Sequence, residues 1–260
     1  MKVAFLIPTT SNKRNWKKIE ESYLYNIFLK SLPQTLSNQY IYNIYLGIDS
    51  DDKLFNNPVE IEKLEKYILK IKTERKLKFN LIINKYSDIE KGHVTEIWNR
   101  LFKVAYNNNE YFYQCGDDIY FPNKGIKWLD LCINQLKLNN NIGIASPLCA
   151  PNKKILTQTL VSRKHMDIFG FYFPKQIKNW YCDNWINSVY KPSYIYTYIK
   201  YIIENRGMKP RYNYNEKAPD DFSSLVLLGK KYLSNYIKKR NIERKPLLNK
   251  GVKKQLLFIN

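Results

Sequence analysis

Asp117 and Asp118 are adjacent carboxylates that follow a glycine at the end of an apolar run, YFYQCGDDIYF (111–121). Neighbouring like charges repel, and holding them beside an apolar strand costs free energy. A divalent cation removes the conflict. Mn²⁺ or Mg²⁺ takes hard oxygen ligands, typically one or two carboxylates together with phosphate oxygens. Gly116 is expected to leave room for a ligand against the backbone. The pair therefore reads as a metal–diphosphate site with Asp117 and Asp118 as ligands. A solvated turn is the competing reading. A second Asp-Asp pair, in APDDFSSL (218–225), precedes a helical pattern, where capping and dipole compensation account for it.

Such a pair needs a rigid frame. VAFLIP (3–8) is a continuous apolar run broken at Pro8, the pattern of a buried strand. The polar loop TTSNKRN follows. Trp16, Ile19, Tyr23 and Ile27 then recur at helical spacing, which predicts a helix over 15–31. YIYNIYLGID (40–49) reads as a second strand ending in Asp49, and KFNLIINKY (78–86) as a third. Helices are expected around Ile61–Ile71 and Val94–Ala105, the latter entered through Lys91-Gly92. The 111–121 stretch is the fourth strand, a helix around Trp128–Leu136 follows, and 141–148 is a fifth strand. Alternation of strand and helix implies an α/β fold with a mostly parallel, mixed sheet flanked by helices. Such sheets bind ligands beyond the carboxyl ends of their strands, where Thr9, Asp49 and Asp117/Asp118 all fall. Farther on, a helix is expected from Asp183, a strand over 194–203 and a helix over 221–238.

The chain has 260 residues and a formal charge of +20, with 43 Lys+Arg against 23 Asp+Glu. That excess suits an anionic partner. It also matches a genome rich in AT codons, because Lys, Asn, Ile and Tyr are all abundant. Four cysteines without C-x-x-C spacing give no zinc or redox motif. The apolar run in MKVAFLIPTT is too short for a signal peptide, and nothing later approaches 18 apolar residues. A cytoplasmic protein without a transmembrane segment is expected.

VAFLIPTTSNKR, IYLGIDSDD and KGHVTEIWNRLFKVAYNNNEYFYQCGDDIYF together resemble the nucleotide-sugar glycosyltransferases of the GT-A (Rossmann-like) fold, and among them little-studied eukaryotic and large-DNA-virus members. The middle stretch is the most specific. It has a Lys-Gly turn, a helix containing Asn99, then Ala105, then an apolar strand running into a D-x-D-like motif. Cys115 stands where the first Asp of D-x-D is expected, which shifts the motif to Asp117 and Asp118. A second block, LVSRKHMDIFGFYFP…NWYCDNWINSVY (160–190), is similar to the family's helix-like segment, aromatic FG turn and acid opening an acceptor-facing helix. Asp183 matches that acid.

The resemblance implies a GT-A domain over 1–215, with a nucleotide-sugar half to about 122 and an acceptor half over 123–215. A helical, basic C-terminal extension (216–260) would pack on the same domain. It implies transfer of a sugar, with a UDP-sugar as the expected donor, to a glycan, protein or small-molecule acceptor, with Mn²⁺ or Mg²⁺ at Asp117 and Asp118. Pro8, Thr9, Thr10, Arg14, Asp49, Lys91, His93, Asn99 and Asp117 would bind the nucleotide sugar. Asp183 would be the general base of an inverting reaction, in the host cytoplasm if the protein is viral. Trp180 and Trp185 flank it, as stacking faces or as core. His165 reads as structural, and Arg206 and Arg211 as further cations near the phosphates. Three alternatives stand beside this reading. A nucleotidylyltransferase shares the topology, but IPTTSNKR lacks its Gly-rich loop. A basic nucleic-acid-binding protein would use the charge and tyrosines, yet has no need of acids gathered at strand ends. Gly-Asp-Asp also marks viral RNA polymerases, which need a far longer chain.

Overall fold

Alternate residues of the first strand enter two different apolar layers, and this decides the architecture. The computed structural model describes residues 1–198, 200–207 and 217–242, together with the backbone of 256–257. In β1 (Lys2–Thr9), Val3, Phe5 and Ile7 join one core and Ala4 and Leu6 the other. A strand covered on both faces needs no polar side, which explains the unbroken run VAFLI. Phe5 packs edge-on against Phe28 and Tyr113. Phe5→Ala would cost about 3–5 kcal/mol through the cavity it leaves.

The chain continues through β2 (Ile41–Asp49), α1 (Pro58–Arg75), β3 (Lys78–Tyr86), α2 (Val94–Ala105), β4 (Tyr111–Gln114) and β5 (Ile119–Tyr120). Then come α3 (Trp128–Leu138), β6 (Ile144–Ala145), β7 (Leu148–Ala150), β8 (Thr159–Ser162), α4 (Lys164–Phe169) and α5 (Cys182–Tyr190). Last are β9 (Ile195–Tyr198), β10 (Ile202–Asn205), α6 (Phe222–Lys239) and β11 (Leu256–Leu257). The main sheet has the order β11-β9-β6-β8-β4-β1-β2-β3, and a small one the order β5-β10-β7. In the main sheet β8 runs against both neighbours and β11 against β9, while the other pairs are parallel. The α/β class with a mostly parallel, mixed sheet is therefore observed. Helix α1 contributes Leu64, Ile68 and Ile71 to one layer, and α2 contributes Trp98, Leu101 and Phe102 to the other.

Several expected elements are shorter or differently formed. Residues 15–31 do not make one α-helix but a 3-10 turn (Ile19–Glu21) followed by a π-helical stretch (Leu24–Leu29). Ser22 Oγ donates to the Ile19 carbonyl and Glu60 takes the Ile19 N–H, so side chains hold groups an α-helix would pair internally. The 111–121 strand stops at Gln114, and Ile119–Tyr120 belongs to the small sheet. The 141–148 and 194–203 strands likewise each divide between the two sheets. Pro147, which has no N–H to give a ladder, stands at the first break, and Ile199 at the second lies outside the described residues. Strand β8 was not anticipated. Helix α4 does precede the aromatic turn and ends at Gly170, whose φ of 78° suits a residue without Cβ. Among the described residues, no helix is long and apolar enough to cross a membrane.

Candidate functional site

Parallel pairing aligns the strand ends that carry the acids. Strand β1 pairs with β2, setting Thr9 opposite Ile48, and with β4, setting Leu6 opposite Gln114. Their carboxyl ends thus leave the sheet along one edge. The antiparallel β8 brings its start to the same edge, with Thr159 opposite Gln114. A cleft of about 400 Å³ opens there. That volume suits a small-molecule ligand.

One wall is made by the turn after β1. Pro8, Thr9, Thr10 and Arg14 line it, with Asp49 from the end of β2. The turn is held by Asp52, which is wholly buried. The Asp52 carboxylate accepts from the Thr10 hydroxyl (2.8 Å), the Ser11 N–H (2.5 Å) and the Ser11 hydroxyl (2.8 Å). It also accepts the N–H groups of Leu54 (3.0 Å) and Phe55 (2.8 Å). One carboxylate thereby fastens the β1 turn to the β2 turn. Asp49 Oδ2 accepts from Asn12 Nδ2 at 3.0 Å and lies 3.1 Å from Lys91 Nζ. The Arg14 guanidinium lies over the Tyr23 ring, 5.2 Å from its centroid.

The floor is the turn after β4. Thr9 donates its hydroxyl to Asp117 Oδ2 at 2.6 Å, in a bond buried between the two strand ends. Asp118 sits between two glycines. A Cβ added at Gly116 or Gly207 would run into the Asp118 carboxylate oxygens. The space at Gly116 is therefore filled by the chain's own carboxylate rather than left for a ligand, which corrects the expectation from sequence. The Asp118 carbonyl accepts the Arg206 N–H at 2.9 Å, fixing the turn against the end of β10. Cys115 is fully buried, and burial, with Asp118 and Asp117 nearby, pushes its thiol far above the usual range. It is a core residue and no part of the cleft. The donor set that remains at the floor, two adjacent carboxylates, is hard oxygen and fits Mg²⁺ or Mn²⁺. Asp117 and Asp118 are the residues that would hold such an ion. Among the described residues no group of three or more His, Cys, Asp or Glu gathers for a metal, so phosphate and water oxygens would complete the shell.

The far wall is the segment leading into α5. Asn179, Trp180, Cys182 and Asp183 line it. Thr95 anchors this segment by donating its hydroxyl to the Ile177 carbonyl, and its N–H to Lys178 at 3.2 Å. Trp180 is 48% exposed at the rim, whereas Trp185 is buried and donates to the Leu225 carbonyl at 3.1 Å. Asp183 opens α5, and Asn184 N–H donates to its carboxylate at 2.8 Å. Burial outweighs that bond and raises the Asp183 pKa above its ordinary 3.8.

The cleft thus gathers Pro8, Thr9, Thr10, Arg14, Asp49, Asp117, Asp118 and Asp183. Three residues expected there stand elsewhere. Asn99 turns to the aromatic turn: its Oδ1 accepts the N–H groups of Tyr172 and Phe173, both at 2.9 Å, and its Nδ2 donates to the Phe173 carbonyl at 2.9 Å. Every bond places it in the fold's framework. Lys91 is paired with Asp49 and with Asp51, the latter at 2.5 Å. His93 sits at the start of α2 outside the lining, its Nε2 buried without a hydrogen-bond partner and its pKa lowered by burial. His165 is buried between the Tyr190 hydroxyl (2.9 Å) and the Tyr172 carbonyl (3.0 Å), and burial lowers its pKa to about 4. Arg206 pairs with Glu204 and stacks on Tyr120, and Arg211 lies outside the described residues. Gln114, Thr157, Gln158 and Asn205 line the cleft and were not singled out from the sequence. Their one signal was position: each lies at the end or start of a strand that the pattern reading divided wrongly or missed.

The fold and cleft define an α/β protein with a cleft at the carboxyl edge of a mostly parallel sheet. No protein-family model matches the chain, and no curated protein matches its sequence. Among solved structures it is similar to the inositol-1-phosphate CTP transferase from T. maritima, with a TM-score of 0.41 and 10% identity, covering 89% of this chain and 97% of that one. It is also similar to mouse xyloside xylosyltransferase 1 in its apo form, with a TM-score of 0.36 and 10% identity, covering 64% of this chain and 69% of that one.

Proposed function

We propose that the protein is a glycosyltransferase that moves a sugar from a nucleoside diphosphate, such as a UDP-sugar, to an acceptor hydroxyl. The observation that carries this reading is the placement of Asp183 on the same cleft as Asp117 and Asp118. One site then holds a hard-oxygen pair suited to a diphosphate-bound cation and, on another wall, a desolvated carboxylate suited to taking a proton. Thr9, Thr10 and Asp49 offer hydroxyl and carboxylate groups to a base and ribose. A bound Mn²⁺ or Mg²⁺ would neutralise the charge that grows on the leaving diphosphate. Asp183 accepts the acceptor's hydroxyl proton as that oxygen bonds to the anomeric carbon, and the bond from that carbon to the diphosphate oxygen breaks with its electron pair on the diphosphate. A carboxylate with a raised pKa is a stronger base than one in water. Attack from the wall facing away from the diphosphate inverts the anomeric centre. Trp180, exposed at the rim, offers a face on which a sugar ring can stack.

The test is a nucleotide-sugar panel with Mn²⁺, Mg²⁺ or EDTA, followed by product analysis. Metal-dependent release of a nucleoside diphosphate, abolished in Asp117→Asn and Asp118→Asn, supports the reading. Release of pyrophosphate from a nucleoside triphosphate would instead make the protein a nucleotidylyltransferase. Absence of binding by every donor would remove both.

A further inference from the structure

Two carboxamides of the cleft have no part in the reaction proposed above. Gln114 ends β4, three residues before Asp117, and Gln158 immediately precedes β8. The antiparallel pairing of Gln114 with Thr159 sets the two glutamines on neighbouring strand ends. Both line the cleft, yet Gln114 is only 3% exposed and Gln158 only 6%. Glutamine is seldom buried so deeply, because an amide withdrawn from water without partners costs free energy. Each of these amides is satisfied at one end. Gln158 Oε1 accepts the Thr157 hydroxyl at 2.9 Å, and Gln114 Oε1 accepts the Thr159 hydroxyl at 3.4 Å. Among the described residues neither side-chain nitrogen donates a hydrogen bond, and neither is sealed off in the core. The N–H groups are the ends left to a ligand.

We propose that Gln114 and Gln158 form a subsite for the acetamido carbonyl of an N-acetylhexosamine, so that the donor is a nucleotide-activated acetamido sugar rather than a plain hexose. The inference rests on the glycosyltransferase reading of the cleft and narrows it. The chemistry of the lining carries it. Asp49, Asp117, Asp118 and Asp183 place carboxylates on both walls and the floor. Carboxylates suit sugar hydroxyls, which have a proton to give. Two amide donors whose oxygens are already held call for a group that only accepts. A carbonyl oxygen has two lone pairs and no proton, and can take one N–H from each glutamine. A uronic acid also offers an acceptor without a proton, but its charge would share the cleft with Asp183, a carboxylate already held partly away from water. The acetamido group brings the carbonyl without the charge.

The experiment is calorimetric titration of the protein, with Mn²⁺ present, by UDP, UDP-glucose, UDP-galactose and the two corresponding UDP-N-acetylhexosamines. The acetamido donors should bind about tenfold or more tighter than the plain ones, because buried donors set for a carbonyl are poorly paired by a hydroxyl. Gln158→Met keeps the side-chain length and removes the donor. It should bring the acetamido donors down to the affinity of the plain ones, and Gln114→Met should weaken them several-fold. Gln158→Glu replaces N–H donors with lone pairs and should reverse the preference. UDP carries no sugar, so its binding reports whether the nucleotide part of the cleft is intact in each variant, and the comparison of donors in the parent needs no variant at all. If UDP binds but the parent takes plain and acetamido donors alike, the subsite is overturned while the glycosyltransferase reading stands. The subsite is equally overturned if Gln158→Glu keeps or sharpens the preference, since an oxygen would then face the ligand, or if both methionine variants discriminate like the parent. Failure of UDP and of all the UDP-sugars to bind would overturn the subsite together with the reading beneath it.

Discussion

Asp52 and Asp183 are carboxylates drawn away from water near two walls of one cleft, and their surroundings are opposite. Asp52 accepts from five donors, three in the β1 turn and two in the β2 turn. Asp183 accepts from the Asn184 amide, and burial dominates its ionisation. A carboxylate whose oxygens are filled with donors has nothing left to offer a substrate, and it serves as a fastening. A carboxylate that is desolvated more than it is hydrogen-bonded keeps its affinity for a proton, and chemistry can use it. The same side chain thus yields framework on one wall and reactivity on the other.

Asp183→Asn should show the largest effect. If Asp183 is the base, turnover falls about 10²–10⁴-fold. The pH profile should also lose its acidic limb. That limb reports deprotonation of Asp183, so in the parent it should lie above 3.8, the ordinary value, with activity rising as pH rises through it. The stability sign runs the other way. A folded-state pKa above the unfolded value means that the charged form is disfavoured by folding, so at neutral pH the charge is a burden to the fold. Asp183→Asn should leave the melting temperature unchanged or higher. A variant that loses activity together with stability would make Asp183 a structural residue like Asp52.

Asp52→Ala should do the converse. Removing the acceptor leaves buried N–H and O–H groups without partners, at about 3–5 kcal/mol in sum. For a chain of this size that is a fall in melting temperature of roughly 10 °C. Near the limit of stability, donor affinity should drop because Thr10 and Asp49 lose their support, while the pH limb of Asp183 stays in place. Asn99→Ala is smaller. It strips the aromatic turn of two acceptor contacts and one donor at 2.9 Å, for about 2 kcal/mol, with donor affinity unaffected. A selective loss of nucleotide-sugar binding in Asn99→Ala would return this residue to the cleft.

These contrasts also explain what could be read in the sequence. The parallel strands β1, β2 and β4 and the acids at or just past their tips were legible because each strand is buried on both faces and ends abruptly in a polar residue. Asp183 was legible as the acid opening a helix. The role of Asp52 was not, since in DSDD (49–52) nothing distinguishes an acid that collects five donors from one that faces water; three of the donors come from Thr10 and Ser11, about forty residues away. Asn99 misled for a related reason. It lies on a helix beside the expected site, and only tertiary packing shows that the backbone of Tyr172 and Phe173 occupies both ends of its amide. Strand β8 is four residues long, with no helix-linked repeat to announce it, and it carries Thr157 and Gln158 to the cleft from its amino end. A rule that looks for ligands beyond carboxyl ends passes over an antiparallel strand.

Lys91 gives the smallest and sharpest test. The family resemblance sets it against the diphosphate, but in the structure its ammonium lies 3.1 Å from Asp49 and 2.5 Å from Asp51. Both Lys91 and Asp51 are substantially exposed, so water and salt screen the pair and its worth to stability is under about 1 kcal/mol. Lys91→Met should therefore melt within a few degrees of the parent. If the lysine does no more than compensate Asp49, the variant leaves a less neutralised carboxylate on the nucleotide wall. Donor KM then rises a few-fold at low ionic strength, the rise shrinks in added salt, and kcat is unchanged. A tenfold or greater fall in kcat, insensitive to salt, would mean that Lys91 leaves Asp49 and Asp51 when the donor binds and reaches the leaving group. The wall after β1 would then be as much a part of the chemistry as the wall that carries Asp183.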